Sequence, residues 1–384
     1  MKFVFVSHNY SPDIHSPEDW FERIKIYAGS LTCLSKTHSV TRIERIDYTG
    51  SCLHDGIQYH FEDYGKGKLF FPWKLHCDVR HLKPDIVVVA GLHYPLQVIQ
   101  LRLRLGRKVK IIAQHHAEKP FTGIKKYLQR LADHCIDAYF FSSKAMGGDW
   151  VRKGNLGSFA KIHEVMEVSS VFHPTDRAAA RSETGMTGTM DTMNATDTTT
   201  ATAANGNPVF LWVGRLDENK NPLMVVTSFL QFAATRSEAR LYMIYHTTEL
   251  LDEIERLLDS QKGGSGAIVL MGAQPHVQMG EWYNSADFII SGSWYEGSST
   301  AICEAMSCGC IPIVTDIFSF RMMTGNGRCG LLYEAGNGQA LLGSLERTEK
   351  MDMAEERRKV LEQYRSSLSF EAIAGKIQEV VASL

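Results

Sequence analysis

Short, nearly unbroken apolar runs recur along the whole chain, separated by polar or amphipathic stretches. KFVFVSHN, SVTRIERI, DIVVVAG, KIIAQH, DAYFFSS and IHEVME fall before residue 170, and VFLWVG, RLYMIYH, AIVLMGA, DFIISGS, IPIVTD and GLLYE after residue 208. Apolar residues on consecutive positions predict strands covered on both faces, the pattern of a parallel sheet. TELLDEIERLLD (248–259) instead spaces its apolar residues for one face of a helix. Strand–helix alternation carried through twice predicts an α/β fold: two doubly wound, Rossmann-like domains facing one another across a cleft. SFEAIAGKIQEVVASL predicts a closing helix.

The expected boundaries are 1–175 for the first domain, 176–208 for a linker, 209–365 for the second domain and 366–384 for the closing helix. The linker rests on composition. Nine of the 25 residues 183–207 are Thr, with almost no large apolar side chains, so burial there cannot offset the entropy of ordering. A chain of 384 residues is long for one core and comfortable for two.

A formal charge of −2 gives no reason to expect a nucleic-acid partner. The eight cysteines contain no CxxC pair and no metal-ligand spacing, and read as small core residues of a reducing compartment. Met1–Val6 is too short for a signal-peptide core and IVVVAGL too short to cross a bilayer, so a cytoplasmic protein is expected. One local imbalance stands out. Residues 65–130 hold fourteen Lys/Arg against three Asp/Glu, which reads either as solvated helix faces or as attraction to an anionic membrane surface or a lipid-linked acceptor.

Candidate chemistry concentrates in two places. In SGSWYEGSSTAICEAMSCGCIPIVTD, Glu296 and Glu304 stand eight residues apart where a strand gives way to a helix starting near Gly297, Ser298 and Ser299. Along a helix axis that spacing is roughly 10 Å, a span matching a ligand with two hydroxyl-bearing ends and a phosphate bridge. Amides and dipole at the helix start favour the anion, while carboxylates accept from vicinal hydroxyls. Simple capping is the competing reading. In VFLWVGRLDENKNP, Arg215 and Lys220 follow a buried strand, where open α/β sheets bind ligands. A planar fork and a mobile ammonium together suit a diphosphate leaving group.

GRLDENK followed by EGSSTAICEAMSCG resembles the carboxyl-terminal half of a GT-B glycosyltransferase of family 4, the E-x7-E retaining enzymes. The resemblance implies a first, acceptor-side domain and a second domain binding a nucleotide-diphosphate-sugar donor. It implies a hexosyltransferase-like enzyme that retains anomeric configuration and passes the sugar to a glycan or lipid-linked hydroxyl, in polysaccharide biosynthesis. Arg215 and Lys220 then correspond to the diphosphate clamp, Glu296 to the donor-sugar contact near the anomeric carbon, and Glu304 to the ribose contact. A histidine at a first-domain strand end, His115 or His116 in KIIAQHHAEKP, would hold a sugar hydroxyl. His116 is the expected one. No D-x-D occurs, so neither metal nor cofactor is expected. The closing helix would return to the first domain, and any membrane association would be peripheral, at the inner face of the cell membrane.

The chain departs from the family in SHNYSPDIHSPEDW, which lacks a Gly-Gly pair; in YHTTEL, where Thr247 or Thr248 is a candidate helix cap; and at Ser298-Ser299. An epimerase or phosphorylase on the same architecture, or a non-catalytic sugar-nucleotide-binding subunit, remains an alternative. Gly325-Asn-Gly327-Arg-Cys-Gly330 satisfies G-x-G-x-x-G but lies between an expected helix and strand, so it reads as a turn, not a dinucleotide site.

Overall fold

The apolar runs form two separate sheets in the computed structural model, which describes residues 1–63, 70–186, 208–260 and 266–384. The chain divides into one unit of Met1–Ser169 with Ser367–Leu384 and another of Ser170–Ser366.

The first unit carries β1 (Lys2–Ser11), β2 (Ser39–Ile46), β3 (Gly50–His54), β4 (Ile57–Phe61), β5 (Ile86–Ala90), β6 (Lys110–Gln114), β7 (Ala138–Phe141) and β8 (Ile162–Glu164). Their order is β3-β4-β2-β1-β5-β6-β7-β8, and β3–β4 is its antiparallel pair. Helices α1 (Pro17–Ser35), α2 (Trp73–His81), α3 (Pro95–Leu105), α4 (Gly123–Asp133) and α5 (Lys144–Arg152) belong to the same unit. Val87, Val88 and Val89 are all buried. Successive strand side chains point to opposite faces, so both faces of the sheet are covered there. The β3–β4 hairpin is an addition to the six strands expected. It turns at Asp55-Gly56, both left-handed at φ 49° and 78°, a geometry in which glycine carries no steric cost.

The second unit carries α6 (Arg177–Thr184), β9 (Val209–Gly214), α7 (Pro222–Ala233), β10 (Arg240–Tyr245), α8 (Leu251–Ser260), β11 (Ile268–Gly272), α9 (Met279–Ser285), β12 (Phe288–Ser291), α10 (Thr300–Ser307), β13 (Ile311–Thr315), α11 (Phe318–Met323), β14 (Leu331–Tyr333), α12 (Gly338–Arg347) and α13 (Met353–Gln363). Its strands are parallel, in the order β11-β10-β9-β12-β13-β14. The closing α14 (Phe370–Ala382) packs on α1, within the first unit.

Part of the expected linker is a helix. Asp176 caps α6 by accepting from the Ala179 amide at 2.8 Å, and Arg177 and Arg181 reach Asp287 at 2.5 and 2.8 Å. These contacts attach 176–186 to the second unit, correcting the linker reading for that stretch; 187–207 lie outside the described residues.

Beneath the first unit's surface, His8 and His76 are buried with their Nε2 atoms 3.1 Å apart. Burial and their mutual proximity lower the pKa of His8 to about 3, and burial with Arg104 lowers that of His76 to about 4. The unfolded chain takes up protons near pH 6.5 that the folded pair refuses. Stability should therefore fall as pH drops below about 6.5 toward the folded values, by an amount on the order of a few kcal/mol. Melting temperature followed from pH 7 to 4 should decline less steeply in a His8→Gln, His76→Gln variant; an unchanged slope would refute the assignment.

Candidate functional site

In the second unit, chain order reverses between the adjacent strands β9 and β12. That is the topological switch point at which open parallel sheets accept ligands. The loops leaving the two strands, 215–221 and 292–299, are laced together. Trp294 N–H donates to the Asn219 carbonyl and Asn219 Nδ2 donates to the Tyr295 carbonyl, each at 2.9 Å. Gly292 permits this approach, because a Cβ there would lie 3.2 Å from the carbonyl oxygens of Lys220 and Asn221. Asp217 Oδ1 accepts from the Lys220 amide at 2.9 Å and shapes the turn.

The lacing brings two predicted residues into direct contact: Lys220 Nζ donates to Glu296 Oε1 at 2.6 Å, with both side chains mostly buried. Arg215 is elsewhere in the loop, about half exposed and paired with Asp217 Oδ2 at 3.0 Å. Ser299 is the N-cap of α10 but its hydroxyl makes no capping bond, so it leaves the first-turn amides untouched. Gly297 and Ser298 precede that cap. The helix starts just past the expected Gly297-Ser298-Ser299 turn, Glu304 projects from it and Glu296 belongs to the loop.

Glu304 is buried on the first turns of α10. Its Oε1 accepts from His276 Nε2 at 2.7 Å and its Oε2 from the Tyr283 hydroxyl at 2.9 Å. Burial first, then the adjacent Glu304 charge, holds the Tyr283 pKa well above its ordinary value, which keeps the phenol a donor. His276 and Tyr283 are not among the residues predicted from the sequence. Thr247 accepts from the Leu216 amide at 2.9 Å, and so steadies the β9 loop.

In the first unit the two histidines after β6 separate. His115 is buried, its Nε2 lying 2.8 Å from the Glu118 carbonyl and its ring 4.5 Å from that of Phe141. His116 is about a third exposed, and its Nδ1 pairs with Glu167. Glu118 fixes the turn by accepting from the Leu92 amide at 2.5 Å and the His116 amide at 2.6 Å. Burial lowers the pKa of His115; for His116 burial acts in the same direction, but the Glu167 carboxylate outweighs it and the net shift is upward. His116 is thus the accessible member of the pair, and Glu167 the partner that orients its ring.

A cavity of about 630 Å³ opens between α7 and the segment leading into α12, lined by Met224, Ser228, Gln231, Glu334 and Asn337 among others. None of the predicted site residues lines it.

Comparison with known proteins bears on the laced loops. Residues 197–366 match the family model of glycosyl transferases group 1. The matched segment contains Arg215, Lys220, Glu296 and Glu304. No curated protein matches the chain. Among solved structures, a glycosyltransferase from Rickettsia africae ESF-5 aligns with TM-score 0.72 at 14% identity, covering 100% of this chain and 98% of that one. Anabaena Alr3699/HepE in complex with UDP aligns with TM-score 0.70 at 12% identity, covering all of both chains. Sucrose-phosphate synthase from Thermosynechococcus elongatus gives 0.68 at 15%, covering 100% and 98%. The fold is GT-B.

Proposed function

We propose that the protein is a retaining, metal-independent glycosyltransferase that moves a sugar from a nucleotide-diphosphate-sugar to a hydroxyl of a glycan or lipid-linked acceptor. The observation that carries this reading is the Lys220–Glu296 contact at the switch point, inside the segment that matches group 1 glycosyl transferases.

A diphosphate leaving group gains charge as its bond to the sugar breaks, and preorganised cations and amides stabilise that charge. Lys220 and Arg215 are assigned to the leaving diphosphate, with amides of Gly297, Ser298 and Ser299 beside them. Release of Glu296 from Lys220 then frees a carboxylate to accept from donor-sugar hydroxyls. Glu304 is assigned to the ribose. His116 is assigned to a hydroxyl of the donor sugar, as the family resemblance implies. The acceptor oxygen attacks the anomeric carbon on the face from which the diphosphate departs, and its proton passes to the leaving phosphate.

Alr3699/HepE has been crystallised with UDP and with UDP-glucose, which puts uridine donors first among those to test. A UDP-sugar at about a hundred times its Kd should stabilise the fold by about 2.7 kcal/mol through mass action, read as a raised Tm. Glu304→Gln should reduce the shift given by free UDP. The anomeric configuration of the product then tests retention, and turnover in excess chelator tests metal independence. Absence of a thermal shift with uridine, guanosine, adenosine and thymidine diphosphate sugars would overturn the proposal.

A further inference from the structure

Helix α4 is amphipathic but turned inside out. It buries Gln129, Ala132 and Asp133, while Ile124, Tyr127 and Leu131 are 80%, 71% and 58% exposed. Spacings of three and four residues place those three on one stripe. Of the inward polar groups Asp133 is satisfied: it accepts from the Tyr139 hydroxyl at 3.0 Å and from the Gly157 amide at 3.1 Å. The orientation is therefore fixed by hydrogen bonds, and the apolar stripe is left facing outward.

The neighbouring helices extend this surface. α3 packs against α4, and α2 against α3. Leu103 on α3 and Trp73 at the start of α2 are exposed, as are Phe70 and Phe71 just before it. The aromatic segment is anchored to α3, because the Arg104 guanidinium sits 3.9 Å from the Trp73 ring centre and Gln100 Nε2 donates to the Phe70 carbonyl at 3.1 Å.

Charge accompanies the apolar groups. Lys74 is paired with Glu62 and Arg102 with Asp137, whereas Arg107, Lys108, Lys125 and Lys126 have no ion-pair partner among the described residues. Arg107 and Lys108, both exposed, directly follow α3, whereas Lys125 and Lys126 are half-buried on α4, with Lys125 against the Phe121 ring. Two copies of such a face would repel one another. An anionic bilayer would attract it and also receive its aromatic and aliphatic side chains, which is the chemistry of an interfacial helix. No described helix is long and apolar enough to cross a membrane, so the contact lies in the plane of the interface.

We propose that the α2–α3–α4 face docks onto an anionic lipid surface, with Ile124, Tyr127, Leu131, Leu103 and Trp73 entering the headgroup boundary and the exposed Arg107 and Lys108 meeting lipid phosphates. This does not depend on the donor reading, since the face belongs to the first unit and the matched segment to the second.

The test is co-sedimentation of the full chain with phosphatidylglycerol-rich vesicles and with pure phosphatidylcholine vesicles, at low and high salt. Binding is expected to the anionic vesicles, to weaken with salt, and to drop at least about tenfold both in Ile124→Ser, Leu131→Ser and in Arg107→Glu, Lys108→Glu. The substituted groups are exposed, and the thermal shift with a UDP-sugar in the same variants reports separately on the donor site. Three results would overturn the proposal: no binding to anionic vesicles at low salt, equal binding to neutral ones, or a dimer in light scattering that is lost in Ile124→Ser, Leu131→Ser while vesicles are ignored.

Discussion

Lys220→Ala is expected to lower sugar transfer by about a hundred- to a thousand-fold, the usual effect of deleting one preorganised group that meets developing charge. The Lys220 ammonium is held 2.6 Å from Glu296 before any ligand arrives, on a turn tied to Asp217 and to the loop after β12. Its deletion removes a cation and leaves a mostly buried carboxylate without that partner, facing the position assigned to the diphosphate. Both changes oppose the transition state, so the loss should fall mainly on kcat. Glu296→Gln should also be slow, and the double variant should be less impaired than the product of the two single effects, because the residues share one contact. Steady-state kinetics of the four proteins decides the matter. Additive losses would show that the ion pair is incidental to turnover.

Asp287→Ala is expected to destabilise the second unit by about 3–5 kcal/mol. One buried carboxylate receives Arg177 at 2.5 Å, Arg181 at 2.8 Å and Arg357, and also accepts from the Val209 amide at 2.8 Å. α6, α13 and the start of β9 are thereby tied to the start of β12. Alanine would leave three guanidinium groups converging on no counter-charge and one strand amide without its acceptor. Asp287→Asn should recover only part of the loss, because it restores a hydrogen-bond acceptor and not the charge. Urea unfolding monitored in the second unit provides the measurement; a wild-type midpoint for Asp287→Ala would refute this account.

The strands of both sheets were legible wherever burial on both faces produced consecutive apolar residues, as in IVVVA and VFLWVG. The β3–β4 hairpin was missed because β4 alternates, with Ile57, Tyr59 and Phe61 buried between half-buried Gln58 and His60. Its signals were that period of two and the Asp55-Gly56 turn. Helix α6 was hidden by the Thr-rich composition that follows it, although Asp176 and Gly185 are ordinary start and stop residues. At the site, Lys220 and Glu296 were identifiable because each follows a buried strand within a short motif. Their mutual contact was not, since it requires knowing that β9 and β12 are neighbours. The clasp on Glu304 was equally opaque: His276 and Tyr283 lie 28 and 21 residues away, and only the packing of α9 against α10 brings them in.

That clasp has a thermodynamic consequence. If Glu304 holds the ribose as proposed, an arriving hydroxyl meets a carboxylate whose two oxygens each already accept one hydrogen bond, from an imidazole and a phenol, so it either takes a remaining lone pair or displaces one of these donors. Where a donor is displaced, the free energy gained is the difference between old and new partners, and the displaced imidazole must find new solvation. Discrimination among nucleosides at this position should accordingly respond to changes in His276 and Tyr283 as much as to Glu304 itself.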